Sequence, residues 1–275
     1  MRELKPILTA ELFAELRREL VSLLKGLKED EWKLPTSAPK WNVKDVALHI
    51  LGGDVGNLSR RRDGFSLPAD LSSYPKLVAF VNAINASWVA AGQRMSAAVL
   101  IDLLEHVGGH MDKYFAGLDP HAMGGPVSWA GNTPMPVWFD VAREYTERWH
   151  HQQQIRDATG RSALYEPRLF APVLDTFVRA LPHAFRDMIA DDGTCVCLVL
   201  TGAVEKEWSL VRVAGMWELF GEKCERQDAV VTIASENAWK IFTRGLRGEA
   251  AARCAEIRGE RKLGEKILEV VSVIA

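Results

Sequence analysis

Three side chains of metal-ligating type stand in two distant stretches of this chain: His49, then Glu147 and His151. A Glu and a His four residues apart lie one above the other on a helix. One imidazole from a second helix would complete three donors and leave a fourth position for water or a substrate, which is how catalytic zinc sites are built. His150 is an alternative to His151, because it is three residues from Glu147. It points between the two helix faces, however, so His151 is preferred. His106 and His110 make a second His-x-x-x-His pair. Gly108 and Gly109 lie between them near a helix end, which reads as a solvated pair. His121 and His183 have no partner pattern. Taken singly, His49 beside Val46, Ile50 and Gly53 would be an ordinary core histidine. Glu147 and His151 alone would be a surface pair stabilising its helix by about 0.2–0.5 kcal/mol.

Two helices must position these donors. The first starts at Asn42, whose side chain can cap it, with Asp45 three residues on as the reciprocal acid and Trp41 placed to staple onto Val46. It is expected to run to about Arg62. Gly52, Gly53 and Gly56 lower its helix propensity, so they imply close approach of another backbone or space kept open. The second helix is expected from about Pro136 to Ala158 and stops at Gly160. Trp138, Val141, Tyr145 and Trp149 form its apolar face. At about 100° per residue, Glu147 and His151 fall on the opposite side, near Asp140 and Glu144. A metal site there requires this helix to be covered on both sides.

The remaining elements frame those two. Thr9 is placed to cap an amphipathic run from Ala10 to Leu27, and Pro35 and Pro39 break the helical pattern. Helices are expected over Lys76–Gln93 and Ala97–Ala116, the latter capped by Ser96. Gly117–Pro136 reads as a long loop whose Gly124–Pro136 part would roof the site. After residue 162 the pattern changes. Leu169–Ile189 is helical. Strands are then expected over 195–201, 207–213, 229–233 and 254–258, with helices over 236–246 and 261–270. The chain therefore divides into 1–162 and 163–275, a helical bundle and a smaller α+β domain.

Composition excludes several partners. The formal net charge is -2 and the pI about 6.4, so no basic field draws the chain to nucleic acid or to anionic lipid. Arg60, Arg61 and Arg62 form the only basic cluster, and Asp63 follows it directly, as at a solvated helix end. The start of the chain has no apolar signal region, and no apolar stretch approaches the ~20 residues of a membrane span. Cys195, Cys197, Cys224 and Cys254 match no zinc or disulfide spacing, and a reduced, cytoplasmic setting is expected. The oligomeric state, a homodimer included, is left open.

Trp41-x-Val43-x-Asp45-x-Ala47-x-His49, Asn85-x-x-Trp88-Val89, and Glu147-x-Trp149-x-His151 followed by Ile155-Arg156-Asp157 together resemble the DinB-like metalloprotein superfamily. More closely, they are similar to the mycothiol-dependent maleylpyruvate isomerase family. The C-terminal part, through Trp239, Gly245 and Arg258, resembles a sterol-carrier-protein-2-like (SCP2-like) domain. The resemblance implies a four-helix bundle holding a divalent metal, usually zinc, on His49, Glu147 and His151. It implies a low-molecular-weight thiol such as mycothiol as cofactor or co-substrate, and a small electrophile as substrate. The reaction would be cis–trans isomerisation or S-transfer. This chain has Gln154 where relatives often carry an acid, which would alter what orients the second His. The alternatives are a non-catalytic metal-binding protein and an apolar-ligand carrier acting through the C-terminal domain, with Leu198, Leu200, Val211, Trp217 and Ile233 as its lining. Those five residues read more naturally as core.

Overall fold

The computed structural model describes residues 3–131 and 133–273. Its helices are α1 (Phe13–Lys25), α2 (Val43–Asn57), α3 (Tyr74–Gly92), α4 (Ala97–Ala116), α5 (Val137–Ala158), α6 (Pro167–Phe177), α7 (Leu181–Phe185), α8 (Ser235–Phe242), α9 (Gly248–Arg253) and α10 (Arg261–Ile267). Its strands are β1 (Met123–Pro126), β2 (Pro134–Pro136), β3 (Cys195–Thr201), β4 (Lys206–Val213), β5 (Met216–Phe220), β6 (Ala229–Ala234) and β7 (Ala255–Gly259). Two compact units result. Among the described residues, a helical unit comprises residues 8–120 and 143–164, and a sheet unit comprises residues 3–7, 121–131, 133–142 and 165–273. The N-terminal helices and C-terminal sheet are the fold class expected above.

In the helical unit, α1, α4 and α5 meet through aromatic rings. Phe13 lies 4.6 Å from Phe115 and 5.5 Å from Tyr145. Helix α2 closes the interior with Val43, Val46, Ala47, Leu48 and Leu51, all at most 1% exposed. Its start is set by the expected reciprocal cap. Asp45 N–H donates to Asn42 Oδ1 (2.9 Å), and Asn42 N–H donates to Asp45 Oδ2 (3.0 Å). After Asn57 the helix widens into a π-helical turn over Leu58–Arg62. Of the three glycines in α2, only Gly52 meets a neighbour: a Cβ there would stand 2.6 Å from Trp88 Cδ1 on α3. Gly53 and Gly56 face open space. Ser96 caps α4 through a 3.3 Å bond from Val99 N–H, whereas Thr9 makes no cap bond and precedes a 3-10 turn instead.

The sheet unit carries a five-stranded sheet in the order β5-β4-β3-β6-β7. Strand β3 runs parallel to β6, with Leu198 opposite Val231, and antiparallel to β4, with Cys197 opposite Ser209. Strand β5 and helix α9 were not expected. Leu169–Ile189 is not one helix: a 3-10 turn over Val178–Ala180 separates α6 from α7. The Gly124–Pro136 segment is not plain loop either, because β1 and β2 pair antiparallel across it. Leu198, Leu200, Val211, Trp217 and Ile233 are all buried. The four cysteines are free thiols. Burial pushes Cys195 up to about 12 and Cys197 up to about 11, so both behave as core residues rather than nucleophiles. Among the described residues no helix is long and apolar enough to cross a membrane.

Candidate metal centre

The part of α5 in the helical unit is covered almost all round. Tyr145 and Trp149 are 0% exposed on one side, and on the other Glu144, His151 and Gln154 are 6%, 8% and 6% exposed. The covering that a metal reading demanded of this helix is therefore present. Two of its buried glutamines, Gln153 and Gln154, meet groups that accommodate them, Gln154 facing His151 Nδ1 at 2.9 Å. Gln153 accepts from Leu164 N–H (2.9 Å) and donates to Asp157 (2.8 Å).

The three expected donors lie beside one another. The His49 and His151 rings meet edge to face with centroids 4.5 Å apart. His151 Nε2 lies 3.5 Å from Glu147 Oε2, and the Glu147 side chain remains 28% exposed. Two donors bound at about 2.1 Å to one tetrahedral ion would stand about 3.4 Å apart. The 3.5 Å separation therefore suits two ligands better than an ordinary hydrogen bond. His49 Nδ1 is buried with no hydrogen-bond partner. A buried polar atom without a partner is costly unless something binds it.

Electrostatics favour neutral imidazoles, the form that ligates. Burial, then the nearby His151 and Arg148, hold His49 well below the usual histidine value, with Asn85 and Glu144 acting the other way. Burial likewise lowers His150, whose ring lies 4.9 Å from that of His151. Trp41 lies against His49 at 4.6 Å and forms an aromatic wall. His106 and His110 have ring centroids 4.9 Å apart on the exposed face of α4. Among the described residues no group of three or more His, Cys, Asp or Glu side chains is gathered tightly enough to make a finished cation site. The donor set is chemically suited to a divalent metal but stands looser than coordination.

Next to these donors runs a buried ion network that the sequence analysis did not identify. Arg148 on α5 donates through Nε to Asp54 Oδ1 on α2 (2.9 Å) and through a terminal nitrogen to Glu144 Oε2 (3.0 Å). Glu144 also accepts from Asn57 (2.7 Å) and pairs with Arg61 and Arg143. Burial alone would raise the Glu144 carboxyl, but Arg143, Arg148 and Arg61 outweigh it and hold the group far below its usual range. Asp54 has mainly Arg148 to offset its burial, and its carboxyl is raised. The only sequence signal was spacing. Asp54 and Asn57 are three apart on α2, as Glu144 and Arg148 are four apart on α5, and nothing in the chain order says the two pairs meet.

Residues 13–156 match the family model described as the mycothiol maleylpyruvate isomerase N-terminal domain. A crystal structure of a histidine-to-alanine mutant of the mycothiol-dependent maleylpyruvate isomerase is similar over 91% of this chain and 92% of its own, with 13% identity and a TM-score of 0.53. The structure of that isomerase without the mutation is similar over 86% and 88%, again at 13% identity, with a TM-score of 0.52. Likeness at this identity is likeness of fold. No curated protein sequence matches the chain. With more than half of its residues inside the family match, the chain belongs to the mycothiol maleylpyruvate isomerase N-terminal domain family.

Proposed function

We propose that the protein is a metal-dependent enzyme that uses a low-molecular-weight thiol of the mycothiol type to isomerise a small unsaturated electrophile. One observation carries this reading. In a chain of this family, His49 and His151 meet at 4.5 Å with the Glu147 carboxylate 3.5 Å from His151 Nε2. His49, Glu147 and His151 would hold the cation, with zinc the first expectation from two imidazoles and a carboxylate. When bound, such a cation supplies Lewis acidity and favours the deprotonated form of a thiol beside it. A bound thiol would supply the nucleophile that isomerisation of a conjugated cis double bond calls for.

The chain's own residues prepare this chemistry. Burial disfavours the charged form of His49, the form that cannot ligate. Glu147 is the partly exposed member of the donor set, at 28%. Trp41 excludes water from the His49 ring face.

The test is metal analysis of untagged protein, followed by turnover of mycothiol with maleylpyruvate, with and without added zinc. Expected are one bound zinc per chain, zinc-dependent isomerisation, and loss of both in His151→Ala. Stoichiometric zinc retained by His151→Ala would remove the ligand assignment. Zinc binding without any thiol-dependent turnover would leave a non-catalytic metal protein.

A further inference from the structure

His151 Nδ1 lies 2.9 Å from Gln154 Oε1, and both residues are buried. A neutral imidazole carries one N–H, and an amide oxygen can only accept. With the amide oxygen facing the ring, the proton belongs on Nδ1 and the lone pair on Nε2. Nε2 is the atom that faces Glu147 Oε2, at a distance of 3.5 Å, which is too long for a normal N–H···O bond. The two distances agree: one nitrogen donates, and the other is held beside a carboxylate without donating to it.

From this geometry we propose that Gln154 is a positioning residue that locks His151 in its Nδ1–H tautomer and so presents Nε2 as a donor. The proposal rests on the metal reading for its purpose, but the tautomer itself is a property of the metal-free chain. Gln154 lies three residues after His151 on α5, so helix geometry supplies the contact directly. As an amide it orients the ring without adding charge. A carboxylate at the same place would orient it equally while adding a negative charge behind the ligand. The rival arrangement turns the Gln154 amide over, so that its N–H donates to Nδ1 and the proton moves to Nε2.

Two measurements separate these. The first is long-range 1H–15N correlation on histidine-labelled, metal-free protein in mildly alkaline buffer, with His151 assigned by its absence in His151→Ala. Wild type and Gln154→Glu are expected to show His151 protonated at Nδ1, and Gln154→Leu to show a mixture or the Nε2–H form. The second is titration with zinc and with cobalt, the latter followed by its visible spectrum. Gln154→Leu is expected to bind each about 10–100-fold more weakly, with a broadened cobalt spectrum, while Gln154→Glu binds at least as tightly as wild type. Far-ultraviolet circular dichroism confirms folding of each variant, and Gln154→Glu serves as the variant least able to disturb it.

An Nε2–H form in wild type overturns the proposal. So does a Gln154→Leu variant unchanged in both tautomer and metal affinity. A wild-type protein with the Nδ1–H form that binds neither metal removes the functional reading above and leaves the tautomer assignment standing.

Discussion

Replacing Arg148 by methionine removes the guanidinium that joins Asp54 on α2 to Glu144 on α5, while keeping most of the side-chain volume that lies over Phe13 and Phe115. The side chains of Arg148, Asp54 and Glu144 are 13%, 6% and 7% exposed, so solvent screens little of the loss. Glu144 keeps Arg61 and Arg143, but Asp54 is left as a buried carboxylate without its partner. Removing one member of a buried pair costs about 3–5 kcal/mol, which lowers the transition of a unit this size by about 10 °C. Asp54→Leu with Arg148→Met should recover about 2 kcal/mol or more of that loss, because no orphaned charge remains. The pH dependence has a definite sign. Burial already raises Asp54 in the folded state, and loss of Arg148 raises it further. A carboxyl raised on folding is a cost above its folded pKa, and the cost fades as pH falls through it. Urea denaturation should therefore show the largest Arg148→Met penalty near neutrality and a shrinking one toward acid. Glu144 acts oppositely: its contribution is present above the usual glutamate pKa and fades below it in both proteins. A variant within about 1 kcal/mol of wild type, with no pH-dependent difference, would refute the view of a buried, mutually dependent network.

Four further substitutions test the scaffold. Asn42→Ala deletes one half of the α2 capping box and should cost about 1 kcal/mol in urea denaturation, with the m-value unchanged. Gly52→Ala forces a methyl to within 2.6 Å of Trp88 Cδ1, whose indole N–H donates to Leu48 O, and should destabilise by about 1–3 kcal/mol with a changed tryptophan fluorescence. Gly53→Ala, which meets nothing within 4 Å, should instead stabilise slightly. Gly259→Ala places a Cβ 2.2 Å from Asp228 O at a φ of 82° and should destabilise the sheet unit by more than about 1 kcal/mol, read by thermal unfolding.

Much of the frame was legible because it is local. Asn42 and Asp45 cap α2 from three residues apart, and Ser96 caps α4 through its own first turn. Cys195–Thr201 declared itself a strand by an unbroken run of β-formers. Strand β5 was hidden by its turn. Ala214 and Gly215 both adopt positive φ, 47° and 77°, but Ala is not a residue that signals such a hairpin, so the run seemed to end at Val213. The candidate centre was legible as residue types and spacing, since His49, Glu147 and His151 do lie together. The surroundings were not. Gln152, Gln153 and Gln154 are polar by type yet all three are buried, because a side chain's cover is set by elements distant in the chain. Arg148 was passed over for the same reason: what fixes it is Asp54, 94 residues away.

The two compact units are interleaved along the chain. Residues 121–142 belong with the sheet although they precede the last stretch of the helical unit, and Arg179 holds this segment by lying 5.3 Å over the Trp138 ring. A nascent chain emerging from the ribosome would have every piece of the helical unit in hand by residue 164, with an excursion of 22 residues still waiting for its partners. That excursion ends inside the first turns of α5, so the helix bearing Glu147 and His151 begins in one compact unit and ends in the other. A scission placed at the covalent midpoint between the two would cut no strand or helix, yet would still strip the downstream fragment of a piece it needs.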